Sequence, residues 1–116
     1  MNPQIFGTNK CQDTKKALRF FKEHGVAVHF VDLNVKAISK GELESVTRTV
    51  PMEELIDKEG SVYGKMNLKY MKFDIKEKIL GNPLLLKTPL VRLAKDATVG
   101  YVPETWRKWI EIIRNS

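Results

Sequence analysis

Cysteine is nearly absent. The 116-residue chain has one, Cys11, which excludes an internal disulfide and obliges any redox cycle to borrow its second thiol from another molecule. Histidine is scarce as well, and His24, His29 and Cys11 lack the spacing of a zinc set, so no metal is expected. No apolar run approaches the ~20 residues that span a bilayer, and Met1-Asn2-Pro3-Gln4 lacks the charged-then-apolar plan of a secretion signal. The expected location is the cytoplasm, with no membrane partner. Internal repeats, linkers and low-complexity tracts are also missing, so residues 1–116 read as a single domain.

What is present suffices for a core, with 42% apolar residues and 9% aromatics. The net charge of +6 attracts anions: nucleic acid, an acidic protein face, or a small anion such as glutathione or an oxyanion. Lys65, Lys69, Lys72 and Lys76 recur at helical spacing and predict a basic stripe along one helix. Without a recognition helix or interleaved stacking aromatics, such a stripe reads as a solvated face, and no direct nucleic-acid binding is expected.

Punctuation in the chain predicts the elements. Gln4 to Gly7 reads as a strand, and a helix follows from about Asp13, its expected N-cap, to Glu23, stopped by His24-Gly25. Val26 to Val31 alternates with apolar residues on both sides and predicts a central strand, giving a βαβ unit. Ser39-Lys40-Gly41-Glu42 reads as a capping box opening a helix to about Arg48, Pro51 opens another through Ile56, and Asp74 starts a third. The stretch from Tyr63 to Phe73 is expected to be helical. Leu90 to Leu93, a turn at Ala94 to Ala97, and Thr98 to Val102 predict a hairpin. Pro103 then begins a helix in which Trp106, Trp109, Ile110 and Ile113 share one face. The fold class is α/β: β-α-β, several helices, then β-β-α, a thioredoxin-like mixed sheet with a helical insertion at about residues 39–82.

Cys11 stands in the polar run Thr8-Asn9-Lys10-Cys11-Gln12-Asp13, just before a helix. There the free amides of the first turn and the positive end of the dipole favour a thiolate, whereas a space-filling cysteine belongs in an apolar run. Lys10, Lys15 and Lys16 are placed to stabilise that thiolate, with Asp13 opposing them; Lys15 lies one turn beyond the sulfur, while Lys16, like Lys22, reads as part of a solvated face. His24 and His29 read as a helix end and a sheet residue, outside any catalytic role.

Several features in order resemble the ArsC/Spx-like family. They are Cys11 after a first strand, Lys15-Lys16-Ala17 opening the helix, His24-Gly25 ending it, Lys87-Thr88-Pro89-Leu90-Val91 before the hairpin, and Val99-Gly100-Tyr101 near the end. The resemblance implies a thioredoxin-like fold, Cys11 at the redox position and Pro89 as a cis proline facing it, with the Thr88 backbone turned outward to pair with an extended thiol peptide. Two departures bear on function. The family's arsenate reductases cradle the oxyanion with three arginines, but Thr88 stands where one precedes the proline, and no arginine occurs near Asp57-Lys58 or Gly100-Tyr101. A lysine does not reproduce the bidentate fork. The Spx-type regulators, which dock on RNA polymerase, carry a Cys-x-x-Cys switch, and here Thr14 replaces its second cysteine. Its hydroxyl can donate to a thiolate. The leading expectation is a thiol–disulfide oxidoreductase working through Cys11 alone, with external glutathione as co-substrate or a glutaredoxin as partner, and with Thr14, Lys15, Thr88 and Pro89 as substrate-binding residues. The alternatives are an Spx-like regulator on RNA polymerase and a genuine arsenate reductase.

Overall fold

A computed structural model describes residues 2–115. Strand β1 (Gln4–Gly7) leads into helix α1 (Gln12–Glu23) and strand β2 (His29–Asp32). Short helices follow: α2 (Lys40–Val46), α3 (Met52–Leu55), α4 (Ser61–Lys65) and α5 (Ile75–Gly81), with 3-10 turns at Leu68–Tyr70 and Pro83–Leu85. The chain closes with β3 (Leu90–Leu93), β4 (Asp96–Val99) and α6 (Pro103–Arg114). The four strands form one mixed sheet in the order β2-β1-β3-β4, with β1 parallel to β2 and the other pairs antiparallel. This is the thioredoxin-like plan.

The period of two along each strand divides the interior into two cores. On one face Ile5, Val91 and Leu93 pack with Ala17, Phe21, Trp106, Trp109 and Ile110 of α1 and α6. On the other, Phe6, Val31 and Leu90 pack with Leu43, Leu55, Leu68 and Ile79 of the inserted helices. Fully burying a side chain of this size contributes about 1.5–3 kcal/mol. Trp106 also donates from Nε1 to Thr98 Oγ1 at 2.8 Å, tying α6 to β4.

Local signals account for the element ends. The capping box at Ser39 is complete, with Glu42 N–H donating to Ser39 Oγ and Ser39 N–H donating to Glu42 Oε1. Helix α1 stops in a left-handed Gly25 (φ +70°), with Gly25 N–H bonded to Lys22 O and Val26 N–H to Phe21 O. That is a Schellman stop, and it explains one correction. Val26 to Val28 serve this exit rather than pairing, so β2 begins at His29. It also lies at the edge of the sheet, not in its middle. Its two apolar sides arise because a helical layer covers each face, which leaves its outer hydrogen-bonding edge free.

Two further expectations are corrected. Asn67 adopts a left-handed conformation (φ 55°) and Met71 to Phe73 are not helical, so Tyr63 to Phe73 is not one helix. The lysine stripe is broken with it: Lys65 ends α4, Lys69 lies on a 3-10 turn, Lys72 on the link, and Lys76 on α5 in an ion pair with Glu44. In the hairpin the strands close over Ala94 and Lys95, with Ala94 at φ 53°, so Asp96 and Ala97 pair with Leu93 and Arg92. Without a glycine at the positive-φ position, the tight turn carried no sequence signal.

Candidate functional site

Strand β1 ends at Gly7, and Thr8 to Lys10 carry the chain to α1. Cys11, not Asp13, is the N-cap of that helix, with extended backbone (φ −81°, ψ 118°). Its amide bonds back to Thr8 O at 3.2 Å, and its carbonyl accepts from Lys15 N–H at 3.1 Å. The thiol therefore occupies the position from which capping side chains accept first-turn amides. It is half-buried and unpaired with any other sulfur.

Residues distant in sequence complete the surroundings. Cys11 Sγ donates to the carbonyl oxygen of Thr88 at 3.7 Å, across 77 positions of chain. The Thr88–Pro89 peptide bond is cis. Pro89 O accepts from Gly100 N–H at 2.9 Å, and Leu90 pairs with Phe6 of β1, so the proline loop is fixed beside the thiol loop. Thr14 lies under the sulfur in the first turn of α1, fully buried, and its Oγ1 has no hydrogen-bond partner in the thiol form.

Burial pushes the Cys11 thiol up from its ordinary value, 9.0, but the hydroxyls of Thr14 and Thr88 and the amides of Thr14 and Asp13 outweigh it, and the net shift is downward. The unpartnered Thr14 hydroxyl and the hydrogen-bonding influence on the sulfur are reconciled by ionisation, because a thiolate is a far better acceptor than a thiol. None of the lysines is among these causes. Lys10, Lys15 and Lys16 are exposed, where water screens them.

The sulfur opens into a cleft of about 470 Å³, within the range of small-molecule sites. Thr8, Lys10, Cys11 and Thr88 form one side. The insertion contributes Asp57 and Gly60 to Val62, and Leu33, Leu84 and Leu86 give apolar contact. Of the residues anticipated from sequence, Cys11 and Thr88 line this cleft, Thr14 underlies it, Pro89 holds Thr88, and Lys15 stands outside it on the exposed face of α1. No arginine among the described residues lines the cleft. Arg92 is bound to Gln4 Oε1 at 2.8 Å and to Ser45 Oγ at 3.4 Å, with Glu42 at 3.7 Å, and Arg107 sits over the Phe20 ring.

Two contributors escaped sequence reasoning. Gly7 carries no signal beyond ending a strand, yet a methyl group there would overlap the Thr14 side chain. In the sequence Asp57 marks only a position that lacks an arginine. The spacing Asp57-Lys58-Glu59-Gly60 is a readable Asx-turn pattern, and Glu59 N–H does donate to Asp57 Oδ1 at 3.1 Å.

Comparison with known proteins assigns this architecture. The ArsC family model matches residues 6–109. The chain belongs to the ArsC family. It is 29% identical over 115 residues to the global transcriptional regulator Spx 2 of Oceanobacillus iheyensis, covering 95% of this chain and 84% of that protein. Among solved structures, an ArsC family related protein from Bacteroides fragilis superposes with a TM-score of 0.83 at 22% identity, over 93% of this chain and 97% of that one. The arsenate reductase from Vibrio cholerae superposes at 0.77 and 19% identity, over 90% and 94%. At these identities the two structures attest the fold of this ArsC-family chain.

Proposed function

We propose that this ArsC-family protein is a thiol–disulfide oxidoreductase that uses Cys11 alone. The Cys11 thiolate attacks one sulfur of a disulfide, forming a new S–S bond while the other sulfur leaves with the bonding electrons as a thiolate. The mixed disulfide is resolved by an external thiolate, from glutathione or a glutaredoxin, which takes the substrate sulfur and returns Cys11 as the leaving thiolate. The observation that carries this reading is the placement of Cys11 at the N-cap of α1, bonded to the Thr88 carbonyl and lining a ligand-sized cleft, and the lowered pKa of its thiol agrees with it. A low pKa raises the thiolate fraction near neutrality, and the backbone of Thr88 offers polar groups to an extended thiol peptide. The test is glutathione-linked reduction of a mixed-disulfide substrate, with mass spectrometry of the Cys11 adduct. Turnover that vanishes in Cys11→Ser supports the reading, and turnover that persists in that variant overturns it.

The likeness to a global transcriptional regulator favours a second reading, a regulator that docks on RNA polymerase without turning over. Stoichiometric retention of purified polymerase by both the wild type and Cys11→Ser would select it.

A further inference from the structure

We infer that Asp57 sets the charge preference of the Cys11 cleft, so that the site takes disulfides carrying a positively charged group in preference to those carrying only negative charge. The inference rests on Cys11 being the reacting sulfur, as proposed above.

The position of Asp57 is determined by backbone bonds. Lys87 N–H donates to Leu55 O at 2.7 Å, Asp57 N–H donates to Leu85 O at 2.8 Å, and Ile56 bridges Leu86 in antiparallel fashion. This short ladder fastens the Asp57 turn to the strand-like segment that runs directly into Thr88, whose carbonyl holds the Cys11 sulfur. The side chain is oriented as well, since Oδ1 accepts from Glu59 N–H and the absent side chain of Gly60 leaves room for Oδ2. A chain with net charge +6 therefore places a tethered acidic residue in the wall of the cleft that holds its thiol.

Among the described residues Lys10 is the one cation that lines the same cleft, and it does not cancel Asp57. Lys10 is exposed on a flexible stem, while Asp57 is half-buried and held at both backbone and side chain. A fixed charge near low-dielectric walls acts on an entering ligand more strongly than a mobile, hydrated one. A cationic substrate entering this cleft gains from the Asp57 charge in its wall, whereas an anionic one is opposed by it, and no arginine among the described residues lines the cleft to offset that charge.

The test uses three methanethiosulfonate reagents, bearing trimethylammonium, a neutral methyl, or sulfonate. The Cys11 thiolate attacks the sulfenyl sulfur, an S–S bond forms, and methanesulfinate leaves with the electron pair. Rates are normalised to those of N-acetylcysteine. The cationic reagent is expected to outrun the anionic one, and the ratio should fall by about three- to tenfold in Asp57→Asn, the order of effect of one nearby charge in partly screened surroundings. Asn keeps the acceptor for Glu59 N–H, so the turn is retained. Wild-type protein gives an independent reading, because the ratio should also shrink toward unity as salt rises. An anionic reagent that reacts as fast as the cationic one, or a ratio unchanged by Asp57→Asn and by salt, overturns the inference. These rates are read without glutathione turnover, so loss of the reductase reading and loss of this one are separate results.

Discussion

Thr14 packs its side chain onto the Cα of Gly7, with Thr14 Cβ 3.0 Å from where a methyl group on Gly7 would lie. The end of β1 therefore sets the place of the hydroxyl beneath the thiol. Gly7→Ala should destabilise the fold by about 1–3 kcal/mol through overpacking and should also slow Cys11 alkylation at neutral pH. Denaturant titration and iodoacetamide kinetics measure the two effects. Unchanged alkylation in a destabilised variant would remove Thr14 from the activating set.

Thr14→Val separates stability from reactivity. Valine keeps the shape while deleting a buried oxygen that lacks a partner in the thiol form, so stability should hold or rise by up to about 2 kcal/mol. The pH midpoint of Cys11 alkylation should move upward, because a leading source of the lowered pKa is gone. A midpoint identical to wild type would contradict this.

The lowered Cys11 pKa also predicts a pH dependence of folding. Between the folded pKa and the ordinary thiol value, 9.0, the unfolded chain holds more protons than the native one, so stability rises with pH across that window. The contribution is fully present above the unfolded value and is lost as pH falls through the folded value. Wild type should thus gain on Cys11→Ser with rising pH, and parallel stability curves would refute the shift.

Arg92 is a structural cation. It links Gln4 of β1 to Ser45 and Glu42 of α2, and Arg92→Met should cost about 1–3 kcal/mol while leaving Cys11 alkylation unaltered. A changed alkylation rate in the folded variant would bring Arg92 into the site.

Arsenate turnover should be slow even with glutathione and glutaredoxin supplied, since no arginine lines the cleft and a lysine gives a point charge rather than a planar fork. Assaying arsenite formation by wild type and Cys11→Ser checks this. Rapid, Cys11-dependent production would mean that Lys10 serves the oxyanion.

Elements announced by neighbouring residues were legible in the sequence. The Ser39 capping box, the Gly25 stop and the tryptophan face of α6 each depend on residues a few positions apart, and the structure carries all three. The edge position of β2 is not legible, because apolar alternation reports which faces are covered, whereas an edge is defined by absent hydrogen bonds. The juncture of Cys11 with Thr88 came from family resemblance rather than from spacing. The place of Asp57 in the cleft could not be found locally, because it depends on the pairing of Leu55 to Asp57 with Leu85 to Lys87, and nothing in either segment alone specifies that match.

The sheet that separates the two cores also divides the parts of the cleft. Cys11 caps and Thr14 lies in α1, whose packing is on the α6 side, while Asp57 belongs to the inserted layer on the opposite side. Substitutions that reshape the insertion can redirect which molecules reach the sulfur without repacking the helix that activates it. Reactivity and selectivity are in this way separately adjustable properties of a single small chain.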